Sequence, residues 1–131
     1  MTESSSLPTN PQSGLQFERD EDFASLYANH VWYEMSTWDL RLLFGQLDQG
    51  KGPNVVTQHT AITLSWQQVK IMSYFLQVNL AMYEAQNGRI QIPASVLPPK
   101  FPSESPGLED DTVTRATAEK ARGAYERIFE S

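Results

Sequence analysis

Between Ser65 and Gly88 the apolar residues recur at helical spacing without a proline. Ser65 is placed to cap the first turn, and Gln68, three residues on, completes the S-x-x-Q form of a capping box. Gly88 supplies the left-handed residue that closes many helices. Set at 100° per residue, the segment carries two apolar stripes. Val69, Met72, Leu76, Leu80 and Tyr83 form one. Ile71, Phe75, Val78 and Met82, with Tyr74 beside them, form the other. Lys70, Ser73, Gln77 and Glu84 make a polar strip between them, and Gln68, Asn79 and Gln86 a thinner seam.

A helix resting on a small sheet needs one apolar stripe. The first stripe is expected to pack on a sheet. The second then needs a cover. Leaving Ile71, Phe75, Val78 and Met82 in water forgoes about 1.5–3 kcal/mol for each of the larger side chains. Three covers are open: a second subunit, the folded-back C-terminal segment, or a client in an exposed groove. Self-association is the leading expectation.

Upstream, the pattern changes to period two. His30 to Ser36 alternates, with Val31, Tyr33 and Met35 on one face and His30, Trp32 and Glu34 on the other. Ser36 to Asp39 reads as a turn or bulge. A second strand runs from Leu40 to about Leu47, and Gly45 inside it marks a bulge or a close backbone approach. Asp48 to Asn54, with Gly50, Gly52 and Pro53, is a hairpin connection. A phosphate-cradling role for it fails, because no Lys-Ser/Thr ending follows and a strand, not a helix, comes next. Val55 to Leu64 is the third strand, with Val56, Ile62 and Leu64 on one face. Arg89 to Ile92 is a candidate fourth, edge strand ended by Pro93. Leu15 and Phe17 suggest a short strand, and Glu18 to Asp22 a solvated connector. The class is α+β: an antiparallel meander of three or four strands, one long helix, and a separate C-terminal amphipathic helix.

Four regions follow. Residues 1–22 are an acidic leader rich in Ser, Pro and Asn, expected to be disordered. Residues 23–92 are the core domain, residues 93–109 a Pro-rich linker, and residues 110–131 the last helix. Asp111 or Thr112 is its expected cap, and Val113, Ala116, Ala121, Ala124, Tyr125 and Ile128 its apolar stripe.

The chain of 131 residues carries a net charge of −6, unevenly spread. Residues 1–22 hold five acids against one base, residues 23–92 four against four, and residues 93–131 seven against five. The four core bases, Arg41, Lys51, Lys70 and Arg89, are scattered. Nucleic-acid binding needs clustered cations, so nucleic acid and anionic membranes are disfavoured partners. A neutral core suits subunits that meet through it. There is no cysteine, hence no disulfide and no thiolate metal site. The N-terminus lacks the basic start and apolar core of a secretion signal, and no run is long enough to span a membrane. The expected compartment is the cytoplasm.

Candidate chemistry is thin. His30 and His59 are the only histidines, on strands that could pair, with Glu34 on the face of His30. A metal needs three or four such ligands, so no metal or cofactor is assigned. No G-x-S-x-G turn and no spaced carboxylate pair appears, so no catalytic residue is assigned. Trp32, Trp38 and Trp66 suit either interface anchoring or rim packing. Tyr27 and Asn29 are expected to fix the start of the first strand, Asn29 through local side-chain bonds. Tyr83 and Glu84 are expected to close the helix end against it.

The residues Tyr27-Ala28-Asn29, Ser36 with Asp39, Leu42 to Gly45, Leu64-Ser65, Asn79, Tyr83-Glu84 and Gly88-Arg89-Ile90 resemble the pattern of a prokaryotic family, domain of unknown function 3467. The likeness covers about residues 26–92. The family usually opens its helix with Pro-Glu-His-Ala-Lys, where this chain has Trp66-Gln67-Gln68-Val69-Lys70. The resemblance implies a strand–strand–strand–helix domain and carries no catalytic assignment. The element order is also similar to the SecB-type export chaperones, by topology alone.

The functional expectation is a non-enzymatic oligomeric scaffold, adaptor or holdase-like protein-binding module. Ile71, Tyr74, Phe75, Val78, Met82, Trp32 and Trp38 are its candidate interaction residues. Tyr27, Asn29, Ser65, Tyr83 and Gly88 are structural. The C-terminal helix is left for a protein partner. A nucleic-acid-associated regulator built on a strand–helix dimer, and an enzyme whose site forms between subunits, are the alternatives.

Overall fold

The computed structural model of the chain describes residues 14–52, 54–99 and 112–130. Strands β1 (His30–Met35), β2 (Asp39–Leu47) and β3 (Val56–Ser65) form an antiparallel sheet in the order β1-β2-β3. Helix α1 (Trp66–Asn87) follows without a break, and α2 (Thr112–Tyr125) runs into a π-helical turn, Glu126–Glu130. The fold is therefore α+β, as the periodicities predict. The described chain divides into two compact units, one ending at Met72 and one beginning at Ser73, and the division falls within the continuous helix α1.

The register explains the sheet's chemistry. Tyr33 pairs with Leu42 and Leu42 with Ile62, while Met35 pairs with Leu40 and Leu40 with Leu64. With Val31 and Phe44 these rows make one apolar face, since side chains alternate across a sheet. Leu42, central on that face, is buried. The opposite face carries Trp32, Leu43 and the directly paired Glu34 and Arg41, whose Oε1 and Nη1 lie 3.5 Å apart in the open. An exposed pair of that kind contributes little.

Gly45 stands at the register shift between β2 and β3. A Cβ added there would lie 2.5 Å from the Thr57 carbonyl oxygen and 2.9 Å from the Gln58 Cα. The bulge expected at this residue is present, and only glycine admits the approach. Its effect is to leave His59 unpaired in the ladder between Thr60, opposite Phe44, and Gln58, opposite Gly45.

The β1–β2 hairpin is closed by side-chain chemistry. Neither Thr37 nor Trp38 has a positive φ, so the turn lacks the primed geometry that best matches strand twist. Ser36 compensates. Its hydroxyl donates to the Asp39 carboxylate (2.9 Å) and accepts from the amides of Trp38 and Asp39 (3.1 Å each). The Trp66 indole N–H then donates to the Ser36 carbonyl at 3.0 Å, tying the first residue of α1 to the hairpin.

Several expectations change. Residues 15–17 and 89–92 form no strand. Instead, the Ile90 amide donates to the Glu84 carboxylate at 3.0 Å, so the helix end holds the segment that follows it and competes with strand pairing. Asn29 acts over a long range rather than locally: its Oδ1 accepts from the Leu47 amide (2.8 Å), and its own amide donates to the Gly45 carbonyl (3.0 Å). The described part of the Pro-rich stretch, residues 93–99, holds one 3-10 turn, Ala94–Val96. The leader up to residue 13, residues 100–110 and the Asp111 cap lie outside the described residues.

Candidate interaction surface

Helix α1 is bounded as its end residues dictate. The Ser65 hydroxyl accepts from the Gln68 amide at 3.2 Å, satisfying one orphan donor. Gly88 adopts φ 87°, and its amide donates to the Glu84 carbonyl at 2.9 Å, the bond of the left-handed helix cap. Between these ends no residue of α1 is buried.

Val69 and Met72 are half-buried, but Leu76, Leu80 and Tyr83 are exposed. Leu76, Leu80 and Tyr83 line a hollow with Asn79 and Ile90. On the adjoining polar strip a cavity of about 390 Å³ is walled by Leu80, Glu84, Ile90, Ile92, Ile128 and Phe129, among others. Arg89 closes this arrangement by donating from Nη2 to the Phe129 carbonyl at 2.6 Å. Glu84 therefore holds the chain that follows the helix.

The C-terminal segment thus meets α1 on the side of Leu80 and Glu84. Among the described residues, four members of the second stripe are exposed. Ile71 is 43% exposed, Tyr74 63%, Phe75 38% and Met82 57%. Val78 is half-buried among them. The Tyr74 and Phe75 rings meet edge to face with centroids 5.2 Å apart, forming an aromatic ledge. α1 contains two charged residues, Lys70 and Glu84, both on the polar strip.

The remaining candidates fall elsewhere. Trp38 projects from the hairpin turn, 82% exposed, and Trp32 is exposed on the sheet. The Tyr27 ring is exposed too; its useful atom is the main-chain carbonyl, which accepts from His59 Nε2 at 3.0 Å. A carbonyl can only accept, so the proton sits on Nε2, and in the neutral ring Nδ1 accepts from the Thr60 hydroxyl at 2.8 Å. His30 and His59 are on strands separated by β2, so their strands do not pair. His30 Nδ1 is buried without a partner. Among the described residues no group of three or more His, Asp or Glu side chains lies close enough to hold a metal, and no helix is long and apolar enough to cross a membrane. Among the α2 residues whose burial is described, Ala118 is the buried one and lies outside the expected stripe, whose Val113 falls outside that description. Ala116 and Ile128 of that stripe are exposed, and the ring of Phe129 packs on Tyr125 at 5.0 Å. The π-helical turn shifts the phase of the last residues relative to an ideal wheel.

A three-stranded meander leading directly into a long helix with an open apolar stripe defines an α+β domain whose distinctive surface is helical. The chain matches the family described as protein of unknown function (DUF3467) over residues 2–92 and belongs to it. That span reaches well upstream of the motif block at 26–92. No curated protein and no solved structure matches the chain.

Proposed function

We propose that this protein is a non-enzymatic, self-associating protein-binding module of the scaffold, adaptor or holdase-like kind, working in the cytoplasm. The observation that supports this is the stripe Ile71, Tyr74, Phe75, Val78 and Met82, which the described parts of the chain leave open. Taking about 200 Å² for a fully exposed large side chain, the four most exposed members present about 400 Å². A monomer rarely shows a contiguous apolar patch beyond a few hundred Å² without using it. At about 25 cal/mol per Å², covering the stripe contributes about 10 kcal/mol per copy. Two copies together exceed the roughly 4–15 kcal/mol lost in orientational freedom on association. The neutral balance of residues 23–92 adds no repulsion. Trp32 and Trp38 remain as aromatic contacts for a client protein.

Multi-angle light scattering of the full chain tests the reading. An assembly larger than one chain is expected at micromolar concentration, and Phe75→Glu is expected to return it to a monomer. A wild-type chain that stays monomeric at high concentration refutes it.

A further inference from the structure

The spacing within the open stripe goes further and, resting on the self-association reading, identifies the partner and its orientation. We propose that α1 pairs antiparallel with α1 of a second copy. Residues 71, 75, 78 and 82 are separated by four, three and four positions, the 3.5-residue repeat of a seam between two helices.

The seam is centred between Leu76 and Gln77, which is also the midpoint of Trp66–Asn87. An antiparallel partner with its dyad there overlaps α1 along its whole length. Ile71 then faces Met82 of the other copy, and Phe75 faces Val78. Each layer joins a larger and a smaller, or two similar, side chains, so the layers are nearly equal in size and the helices keep an even separation. A parallel pair would stack Phe75 on Phe75 and Val78 on Val78, a wide layer beside a narrow one. The antiparallel pair also opposes the helix dipoles.

The flanks permit it. Met72, Tyr74, Asn79, Ala81 and Gln86 border the seam and carry no charge, so a two-fold axis brings no like charges together. Lys70 and Glu84 lie on the other side of the helix. The exposed area of Ile71, Tyr74, Phe75 and Met82, on the order of 400 Å² per copy, is about half of what one partner contributes to a standard-sized interface. The polar flanks extend it.

The absence of cysteine makes the test clean. Ile71→Cys, on a tagged chain, and Met82→Cys are co-expressed and treated with a short bismaleimide crosslinker. Both positions are exposed in one copy, so folding is preserved, as circular dichroism will verify. The expected product is the mixed 71–82 dimer, at least tenfold over like-with-like products. Like positions stand about 16 Å apart along the axis of an antiparallel pair. Efficient crosslinking of Ile71→Cys to itself would make the pair parallel and overturn the proposal, with self-association intact. A dimer by light scattering that crosslinks at neither position would place the interface elsewhere and also overturn it. A monomer by light scattering removes the underlying reading itself.

Discussion

Replacing Gly45 by alanine probes the closest backbone approach in the sheet. The new methyl would meet the Thr57 carbonyl oxygen at 2.5 Å, the Gln58 Cα at 2.9 Å and the Thr57 carbonyl carbon at 3.0 Å. All three are backbone atoms of β3, so no side chain can swing aside. β3 must retreat from β2 at the bulge. Overpacking of this kind costs about 1–3 kcal/mol, and stretching the neighbouring ladder bond adds about 1 kcal/mol. The expected loss is about 2–4 kcal/mol, from a total on the order of 5–15 kcal/mol for a native protein. With a urea m-value of about 1–3 kcal/mol per molar, the midpoint falls by roughly 1–2 M. Protomer concentration must be held constant, because association adds to apparent stability. Two other glycines calibrate the series. Gly50→Ala meets only the Asp48 carboxylate at 3.3 Å and is expected to change stability by less than about 0.5 kcal/mol. Gly88→Ala enters open space but keeps φ 87°, a strain of about 1–2 kcal/mol. A Gly45→Ala variant no less stable than Gly88→Ala would refute the steric argument.

Three further outcomes are expected. Ser36→Ala removes the acceptor for two amides and the donor to Asp39, and should cost about 1–2 kcal/mol in urea denaturation. Ser65→Ala deletes the cap bond to Gln68 and should cost about 1 kcal/mol, read as lost α1 helicity on mild heating. Arg89→Ala removes the donor to the Phe129 carbonyl; faster amide exchange and proteolysis are expected over Tyr125 to Glu130, with the sheet unchanged.

The alternation of Val31, Tyr33 and Met35, the glycine within β2, and the Ser65 and Gly88 boundaries are all legible in the sequence. Each is a local property: strand pleat, backbone sterics and orphan helix amides act within a few residues. The two stripes of α1 were readable on the same ground, because a helical wheel depends only on residue spacing. What covers each stripe was not. Leu76, Leu80 and Tyr83 line a hollow with Ile90, a neighbour that the helical wheel does not name. The reach of Asn29 to Leu47, the hold of Glu84 on Ile90 and the hold of Arg89 on Phe129 are hydrogen bonds whose partners the sequence does not specify. The contact of Phe129 with Tyr125 is of the i,i+4 kind that a wheel does place together. Periodicity and capping determined the elements, because their causes are short-ranged. What meets each apolar face of α1 is a matter for tertiary structure, because it depends on chain segments far away in sequence that residue spacing does not specify.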